Sequence, residues 1–189
     1  MELWDVYDAD RRLTGRTMVR GERFQPGDYH LVVHICIRNS AGEMLIQRRQ
    51  PFKQGFPGMW DVSVGGSAVA GDTSARAAER EVEEELGLTL HLQGRTPHLS
   101  LNFDEGYDDF YIVDQDVDLS ALHLQESEVA EVRWASKAEI LGLIRDGSFI
   151  PYHESLIGLL FDLEQIPDSH QGRINGRDRI AGQKREEEV

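Results

Sequence analysis

Apolar and polar positions alternate in two segments near the N-terminus, a pattern typical of β-strands. Residues 2–7 and 14–20 flank the turn-rich DADRRLTG and predict a short hairpin. The run YHLVVHICIRN, the turn SAG and the segment EMLIQRR predict a second hairpin. Period-two alternation in the first strand of this second hairpin gives it two distinct faces. One face carries His30, Val32, His34 and Cys36, and the other carries Leu31, Val33, Ile35 and Ile37.

The period changes to that of a helix after WDVSV, a short strand that we expect Gly65-Gly66 to end. Residues 73–86 predict an amphipathic helix, and Gly87 is a natural stop. Further along, we expect four strands and two amphipathic helices. The strands are expected at 88–93, 97–103, 109–116 and 129–134, and the helices at AEILGLIRDG and 153–163. This order favours an α+β or mixed α/β sandwich.

The chain has 189 residues, which fits one domain with a full hydrophobic core. We expect that domain to span residues 1–166, with residues 1–28 as an N-terminal hairpin extension. The polar and charged segment 167–189 has little apolar surface to bury, so we expect a mobile tail.

The net charge of −14 and the absence of a basic stripe argue against a general nucleic-acid binder. No apolar run approaches the roughly 18 residues that cross a bilayer, and the charged N-terminus does not resemble a signal peptide. We therefore expect a cytoplasmic protein without a membrane partner, and a homodimer is an open prediction. The lone Cys36 excludes a disulfide framework and is expected to be a buried apolar residue.

The predicted helix at 73–86 has three faces when its residues are placed at about 100° intervals. The core-facing stripe is Ala75, Ala78, Val82 and Leu86. A second arc, expected to face solvent, is Arg76, Glu79 and Glu83. The third arc gathers Glu81, Glu84 and Glu85 beside the small Ala77. Arg80 borders this arc four residues before Glu84 and can orient or neutralise a carboxylate.

The third arc has two interpretations. Three converging carboxylates suit Mg²⁺ or Mn²⁺, which prefer oxygen ligands and often complete their shell with substrate phosphates. An acidic run is, however, more often an ordinary solvated helix face. The run EREVEEE alone favours the solvated face.

The surrounding spacing changes this balance. Gly66 is followed after five residues by Asp72, and after seven more by Arg80-Glu81-Val82-x-Glu84-Glu85-x-Gly87-Leu88. This pattern resembles the Nudix box, a motif whose many fixed positions make a chance match very rare. The one departure is Asp72, where the motif has Glu. We expect Asp72 to act as the helix N-cap and to weaken activity without abolishing it.

The resemblance implies a mixed β-sheet between helices, with the box forming a loop–helix–loop. It also implies Mg²⁺- or Mn²⁺-dependent hydrolysis of a small nucleoside-diphosphate-type molecule. Glu81, Glu84, Glu85 and the Gly65 carbonyl would then be the metal ligands. Arg80 would orient the glutamates, and Glu84 or Glu85 could also accept the proton of the attacking water. Family members also take the base from outside the box, where Asp104, Glu105, Asp108, Asp109, Glu128 and Glu131 are open candidates.

Residues 2–165 further resemble the isopentenyl-diphosphate-isomerase-like branch of this superfamily. In that branch, the positions of Arg48 and Lys53 contact a diphosphate. The isomerase cysteine is replaced here by Gly65 and a metal-binding histidine by Ser67, which disfavours isomerase activity. His30 aligns with another isomerase ligand, but it lacks its partners and is expected to be structural.

A non-catalytic binding module is a third alternative, disfavoured because all three box glutamates are present. Segments that mark pyrophosphatases of ADP-ribose, coenzyme A or NADH are not evident, so the sequence leaves the substrate open.

Overall fold

The computed structural model describes residues 2–163 of the chain. The end of the predicted domain at residue 166 and the predicted tail 167–189 lie outside the described residues.

Short strands precede and follow one long helix, and two shorter helices come last. The strands are β1 Leu3–Tyr7, β2 Leu13–Val19, β3 His30–Arg38, β4 Met44–Arg49, β5 Trp60–Asp61, β6 Val64–Ser67, β7 Leu99–Phe103, β8 Gly106–Asp114 and β9 Val129–Ala135. The helices are α1 Ser74–Leu86, α2 Lys137–Arg145 and α3 Glu154–Asp162. The helix expected at 73–86 and the two expected late helices are confirmed.

The central sheet is mixed, and it opens between β3 and β4. β3 pairs with β8 in parallel and with β6 in antiparallel fashion. β4 instead pairs with β5 and β9. The second predicted hairpin is confirmed at its turn, but its strands share only the register pair Arg38–Met44 in the described part of the chain. β3 and β4 diverge because β3 pairs mainly with β6 and β8, whereas β4 pairs mainly with β5 and β9.

Helices pack on both sides of this sheet, as expected for an α/β/α sandwich. The odd-numbered residues of β3 from Leu31 to Ile37 pack in one apolar cluster with Ala78 and Val82 of α1. Cys36 packs in a second cluster with Ile140 of α2 and residues of α3. The two faces predicted for β3 are therefore confirmed, and each helix layer covers one of them.

Two expectations about chain segments were wrong. Residues 88–93 form no strand, because their leucines pack into the α1 cluster instead and Glu79 accepts the backbone amides of Leu92 and Gln93. Glu79 was predicted to face solvent, but these hydrogen bonds hold its carboxylate against the backbone of residues 92 and 93. Gly65 and Gly66 do not end a strand, since both lie within β6 and pair with β3.

The N-terminal hairpin forms its own two-stranded sheet, in which β1 pairs with β2. Backbone hydrogen bonds between Tyr7 and Tyr29, 2.8 and 3.0 Å long, attach it to the chain that enters β3. The ring of Trp4 stacks on His30 at 4.5 Å between centroids, and Phe24 packs beside them at 5.0 Å from His30. His30 therefore has a structural position, in an aromatic cluster.

The buried His30 predicts a contribution to acid sensitivity. Burial lowers its pKa from the ordinary 6.5 to about 4, and no described residue hydrogen-bonds its Nδ1. Between these pH values the unfolded chain binds a proton at this residue that the folded chain does not, so the free energy of unfolding falls as pH decreases. We expect His30→Phe to remove this part of the pH dependence in urea unfolding measured near pH 7.5 and pH 4.5.

The exposed His153 supplies the matched control, because its side chain makes no cap hydrogen bond at the start of α3. His153→Gln should leave the pH dependence unchanged. Parallel pH profiles for His30→Phe and the unmodified protein would contradict the assignment.

Candidate active site

Helix α1 begins and ends at residues that define its position on the sheet. Thr73 is the N-cap and accepts the Arg76 amide at 3.3 Å, so the expectation that Asp72 would be the cap was wrong. Gly87 ends the helix with φ 66°, a left-handed conformation that favours glycine. A Cβ at Gly87 would also lie only 2.8 Å from the Cβ of His123. The motif glycine is thus required by both conformation and space.

The Glu81 side chain packs directly against the backbone of β6. Its carboxyl carbon and both oxygens occupy the place where a Cβ on Gly66 would project. Only 14 % of the Glu81 side chain is exposed, and this burial raises its pKa. Any side chain at position 66 would therefore have to displace the Glu81 carboxylate.

Glu85 lies deeper, with 5 % of the residue exposed. One of its oxygens accepts a hydrogen bond of 2.8 Å from the Gln47 amide on β4. Burial, opposed by this hydrogen bond, raises the pKa of Glu85 to about 8, and the charges of Glu81, Glu128 and Asp61 add to the increase. Glu81 and Glu85 thus lie against β6 and β4 instead of facing solvent, whereas the side chain of Glu84 is half exposed.

Arg80 holds the remaining acidic residues of the box in place. Its Nε donates to Asp72 at 3.1 Å, and its Nη1 donates to Glu81 at 2.9 Å and to Glu84 at 3.2 Å. Its Nη2 donates to the Ser67 carbonyl at the end of β6. The short Asp72 side chain consequently acts through Arg80, which links the loop before α1 to two of the glutamates.

The donor set suits a hard divalent cation, although the ligands are not assembled around one point. Within residues 2–163 no three acidic, histidine or cysteine side chains are grouped so that they could hold a metal ion. Glu84 is half exposed, and its only side-chain hydrogen bond to a described residue is the one from Arg80. Carboxylate oxygens crowded at the edge of the sheet are nonetheless the ligands that Mg²⁺ and Mn²⁺ prefer. Glu81, Glu84 and Glu85 thus supply ligands of the preferred type from one helix, and in residues 2–163 these ligands are not gathered around a single point.

The two predicted diphosphate-contacting cations are paired with acids. Lys53 forms an ion pair with Glu128, and Arg48 approaches Glu131 at 3.4 Å. The segment containing Glu128 is joined to α1 by the hydrogen bond from the Gln125 amide to the Glu85 carbonyl, 3.0 Å long. Lys53 therefore lies close to the glutamates through Glu128. Arg48 follows Gln47 on β4, so its side chain projects from the opposite face of that strand.

The candidate bases outside the box differ sharply in solvent exposure and in ion pairing. Asp104 and Glu105 are exposed in the turn between β7 and β8. Asp108 is paired with His34 at 3.0 Å. Asp109, an open candidate base in the sequence, is fully buried within β8 and forms an ion pair with Arg11.

Sequence reasoning missed the contacts between the N-terminal hairpin and the loop that precedes α1. The Ala70 amide donates to the Leu3 carbonyl at 2.8 Å, and the Gly71 amide donates to the Asp5 carboxylate at 2.7 Å. Arg11, with φ 61°, reaches the buried Asp109. The period-two pattern predicted this hairpin but held no information about what it would contact.

A further buried carboxylate, that of Asp61, is hydrogen-bonded to a residue packed on the other face of β3. Asp61 precedes β6 and accepts a hydrogen bond of 2.9 Å from the Tyr152 hydroxyl, and burial raises its pKa. The isomerase cysteine position, Gly65, faces His34, whose Nδ1 would be 3.3 Å from a Cβ there. Cys36 is fully buried, and burial raises the pKa of its thiol, so it offers no substitute for the missing cysteine.

A family model for the NUDIX domain matches residues 28–153. The chain belongs to the Nudix family. Family membership makes the protein a hydrolase of pyrophosphate bonds. The matched region contains the whole box and begins after the N-terminal hairpin.

Relatives and solved structures agree with this assignment. An uncharacterised Nudix hydrolase of Listeria monocytogenes is 47 % identical over 170 residues, which are 90 % of this chain and 99 % of the relative. The crystal structure of the DR0079 protein from Deinococcus radiodurans has a TM-score of 0.68 at 24 % identity, covering 84 % of this chain and 97 % of that one. The MutT protein from Methanosarcina mazei has a TM-score of 0.55 at 25 % identity, covering 75 % and 96 %.

The contact between Glu81 and Gly66 predicts the cost of adding one methyl group to the Nudix box. In Gly66→Ala the new Cβ would overlap the Glu81 carboxylate, so either the side chain or β6 must move. Overpacking of this kind costs about 1–3 kcal/mol of unfolding free energy. We expect that loss in denaturant unfolding.

Gly142→Ala is the matched control, because Gly142 lies within α2 and a Cβ there would meet nothing within 4 Å. Alanine should stabilise that helix by about 0.5–1 kcal/mol. Equal stabilities for Gly66→Ala and the unmodified protein would show that Glu81 does not depend on this close approach.

Proposed function

We propose that this Nudix protein is a Mg²⁺-dependent hydrolase that cleaves the diphosphate bond of a small nucleoside-diphosphate-type substrate. The observation that supports this most directly is the burial of Glu81 and Glu85 at the opening of the sheet, with Glu84 beside them on α1. Buried carboxylates without full ion pairing are costly. A divalent cation would offset that cost.

In this proposal Glu81, Glu84, Glu85 and the Gly65 carbonyl hold Mg²⁺ or Mn²⁺. The bound ion would neutralise charge on the diphosphate and lower the pKa of the attacking water. Arg80 positions Glu81 and Glu84 through its hydrogen bonds, and Asp72 in turn fixes Arg80. Glu84 or Glu85 remains the proposed acceptor of the water's proton.

Arg48 and Lys53 would contact the diphosphate. Each is paired with a carboxylate, so phosphate binding would exchange one acidic partner for another. Glu128 and Glu131 would be released at the same time, which keeps them among the candidate bases.

The structure offers no support for the two alternatives. Isomerisation needs a side chain at Gly65 to transfer a proton, and the nearby Cys36 is buried in the second apolar cluster. A binding module without activity would not require the complete set of box glutamates.

The proposal also includes a cytoplasmic location and keeps the homodimer as a prediction. In residues 2–163 no helix is both long enough and apolar enough to cross a bilayer.

A Mg²⁺-dependent screen tests the proposed reaction. Candidate substrates are nucleoside triphosphates, ADP-ribose, dinucleotides, nucleotide sugars and isopentenyl diphosphate. Cleavage of a phosphoanhydride bond in any of the first four supports the proposal. A shifted double bond without phosphate release, or no reaction on any substrate, would contradict it.

Glu84→Gln should abolish this hydrolysis while leaving the fold intact. The substitution removes the charge that a metal ligand needs, so we expect turnover to fall at least about 100-fold. Because the Glu84 side chain is half exposed and its ion pair is at the surface, the unfolding free energy should change by less than about 1 kcal/mol. Steady-state kinetics and urea unfolding measure the two effects.

Glu83→Gln removes a neighbouring charge from an exposed position of the same helix and should leave turnover unchanged. Unchanged turnover in Glu84→Gln would refute its assignment as a ligand.

A further inference from the structure

The face of β3 opposite to α1 has one open stretch. Helices α2 and α3 pack over Cys36 at its far end. Val32 and His34, nearer the start of the strand, are only partly buried. Asp108 on β8 is in register with Val32, and Leu101 on β7 is in register with Asp108, so all three side chains share this face.

The His34 ring in this stretch is fixed from several sides. It stacks on Phe110 at 4.6 Å between centroids and 14° between planes. Its Nε2 lies 3.0 Å from an oxygen of Asp108, and its Nδ1 lies 3.3 Å from the Tyr152 hydroxyl. Tyr152 donates onward to Asp61. With both ring nitrogens engaged, His34 holds the Asp108 carboxylate in one orientation before any ligand arrives.

Asp108 is left with a free hydrogen-bond acceptor. Its Oδ1 is held by His34, whereas its Oδ2 makes no hydrogen bond to any of residues 2–163. The carboxylate is 27 % exposed. Leu101 and Phe103, each 37 % exposed, are apolar residues on the same side of the adjoining edge strand. An apolar surface with one oriented acceptor is the composition of a small-molecule site.

This stretch also adjoins the proposed diphosphate site. His34 is in register with Gly65, the proposed carbonyl ligand. Gly65 has no side chain to separate the two regions, and the His34 ring lies in van der Waals range of the place where one would be. Asp61, at the other end of the hydrogen-bond chain, is close enough to Glu85 for the two charges to interact. The hydrogen-bond network of His34 and the Glu85 carboxyl therefore meet at Asp61.

We propose that His34 and Asp108 form a base-recognition subsite for the nucleobase of the substrate, with Asp108 accepting an N–H of an amino-bearing ring. The subsite rests on the proposed function and narrows its substrate class to compounds of adenine, guanine or cytosine. A flat ring covers Leu101 and Val32 while its amino group pairs with Asp108. An isoprenoid chain would cover the carboxylate without a hydrogen bond, which is unfavourable.

Equilibrium binding in Mg²⁺ separates the subsite from the diphosphate site. Methylenediphosphonate, which cannot be hydrolysed at its bridge, probes the diphosphate site alone. The α,β-methylene diphosphates of adenosine, guanosine and cytidine probe both together. We expect methylenediphosphonate to bind and at least one nucleoside analogue to bind about 10-fold tighter or more in calorimetric titrations.

Asp108→Asn should reduce the advantage of that nucleoside analogue by about 10- to 100-fold, because a hydrogen bond to a charged group is lost. The affinity of the Asp108→Asn variant for methylenediphosphonate should equal that of the unmodified protein. Asp114→Asn is the matched control: Asp114 lies on the same strand and the same face, is 41 % exposed, and pairs with Arg38. It should bind every probe as the unmodified protein does.

The outcomes distinguish the two proposals. Suppose that methylenediphosphonate does not bind, that a nucleoside analogue does, and that Asp108→Asn weakens binding of the analogue. This result would support the subsite and contradict the diphosphate site. If methylenediphosphonate binds and no analogue binds more tightly, the subsite is overturned. Equal losses for all probes in Asp108→Asn, no loss for any probe, or no binding by any probe would overturn it as well.

Discussion

The burial of two carboxylates, Glu81 beside Gly66 of β6 and Glu85 beside β4, is the constraint on which the rest of the site depends. Glu81 occupies the space beside Gly66, and Glu85 reaches Gln47 on β4. Both contacts are available because β3 and β4 diverge directly after their turn. The fold thus brings acidic side chains into an opening of the sheet, where their charge is unfavourable until something positive accompanies them. Arg80 supplies part of that positive charge.

The loop before α1 is held from outside the region that the family model covers. Backbone and carboxylate groups of Leu3 and Asp5 accept the amides of Ala70 and Gly71. Arg11 reaches the buried Asp109, which also accepts the Ser74 hydroxyl at 2.5 Å. The N-terminal hairpin is therefore part of the framework of the candidate site, because it contacts the segment from which α1 begins.

The pattern of apolar and polar residues predicted most helices and strands, but it did not predict which residues distant in sequence they would contact. Helix α1, its Gly87 end and the two faces of β3 follow from periodicity and from one conformational preference, which are encoded in neighbouring residues. The run 88–93 has a strand-like composition but forms no strand. Its leucines pack into the core, and the Glu79 carboxylate accepts hydrogen bonds from two of its backbone amides. The helix projection placed Glu81, Glu84 and Glu85 on one arc, but it did not predict how deeply Glu85 is buried. The depth of Glu85 is set by β4, and Asp109 is enclosed by contacts that include Arg11 of the N-terminal hairpin. Both partners are distant in sequence.

Proton release on metal binding tests the central claim most directly. The pKa of Glu85, about 8, means that this carboxyl is mostly protonated near pH 7 and must lose its proton to become a ligand. Calorimetric titration with Mn²⁺ alone, in buffers of different ionisation enthalpy, should show release of about one proton per ion near pH 7 and much less near pH 9. Glu85→Gln should release none. Mn²⁺ binding without proton release, or no Mn²⁺ binding at all, would contradict the account.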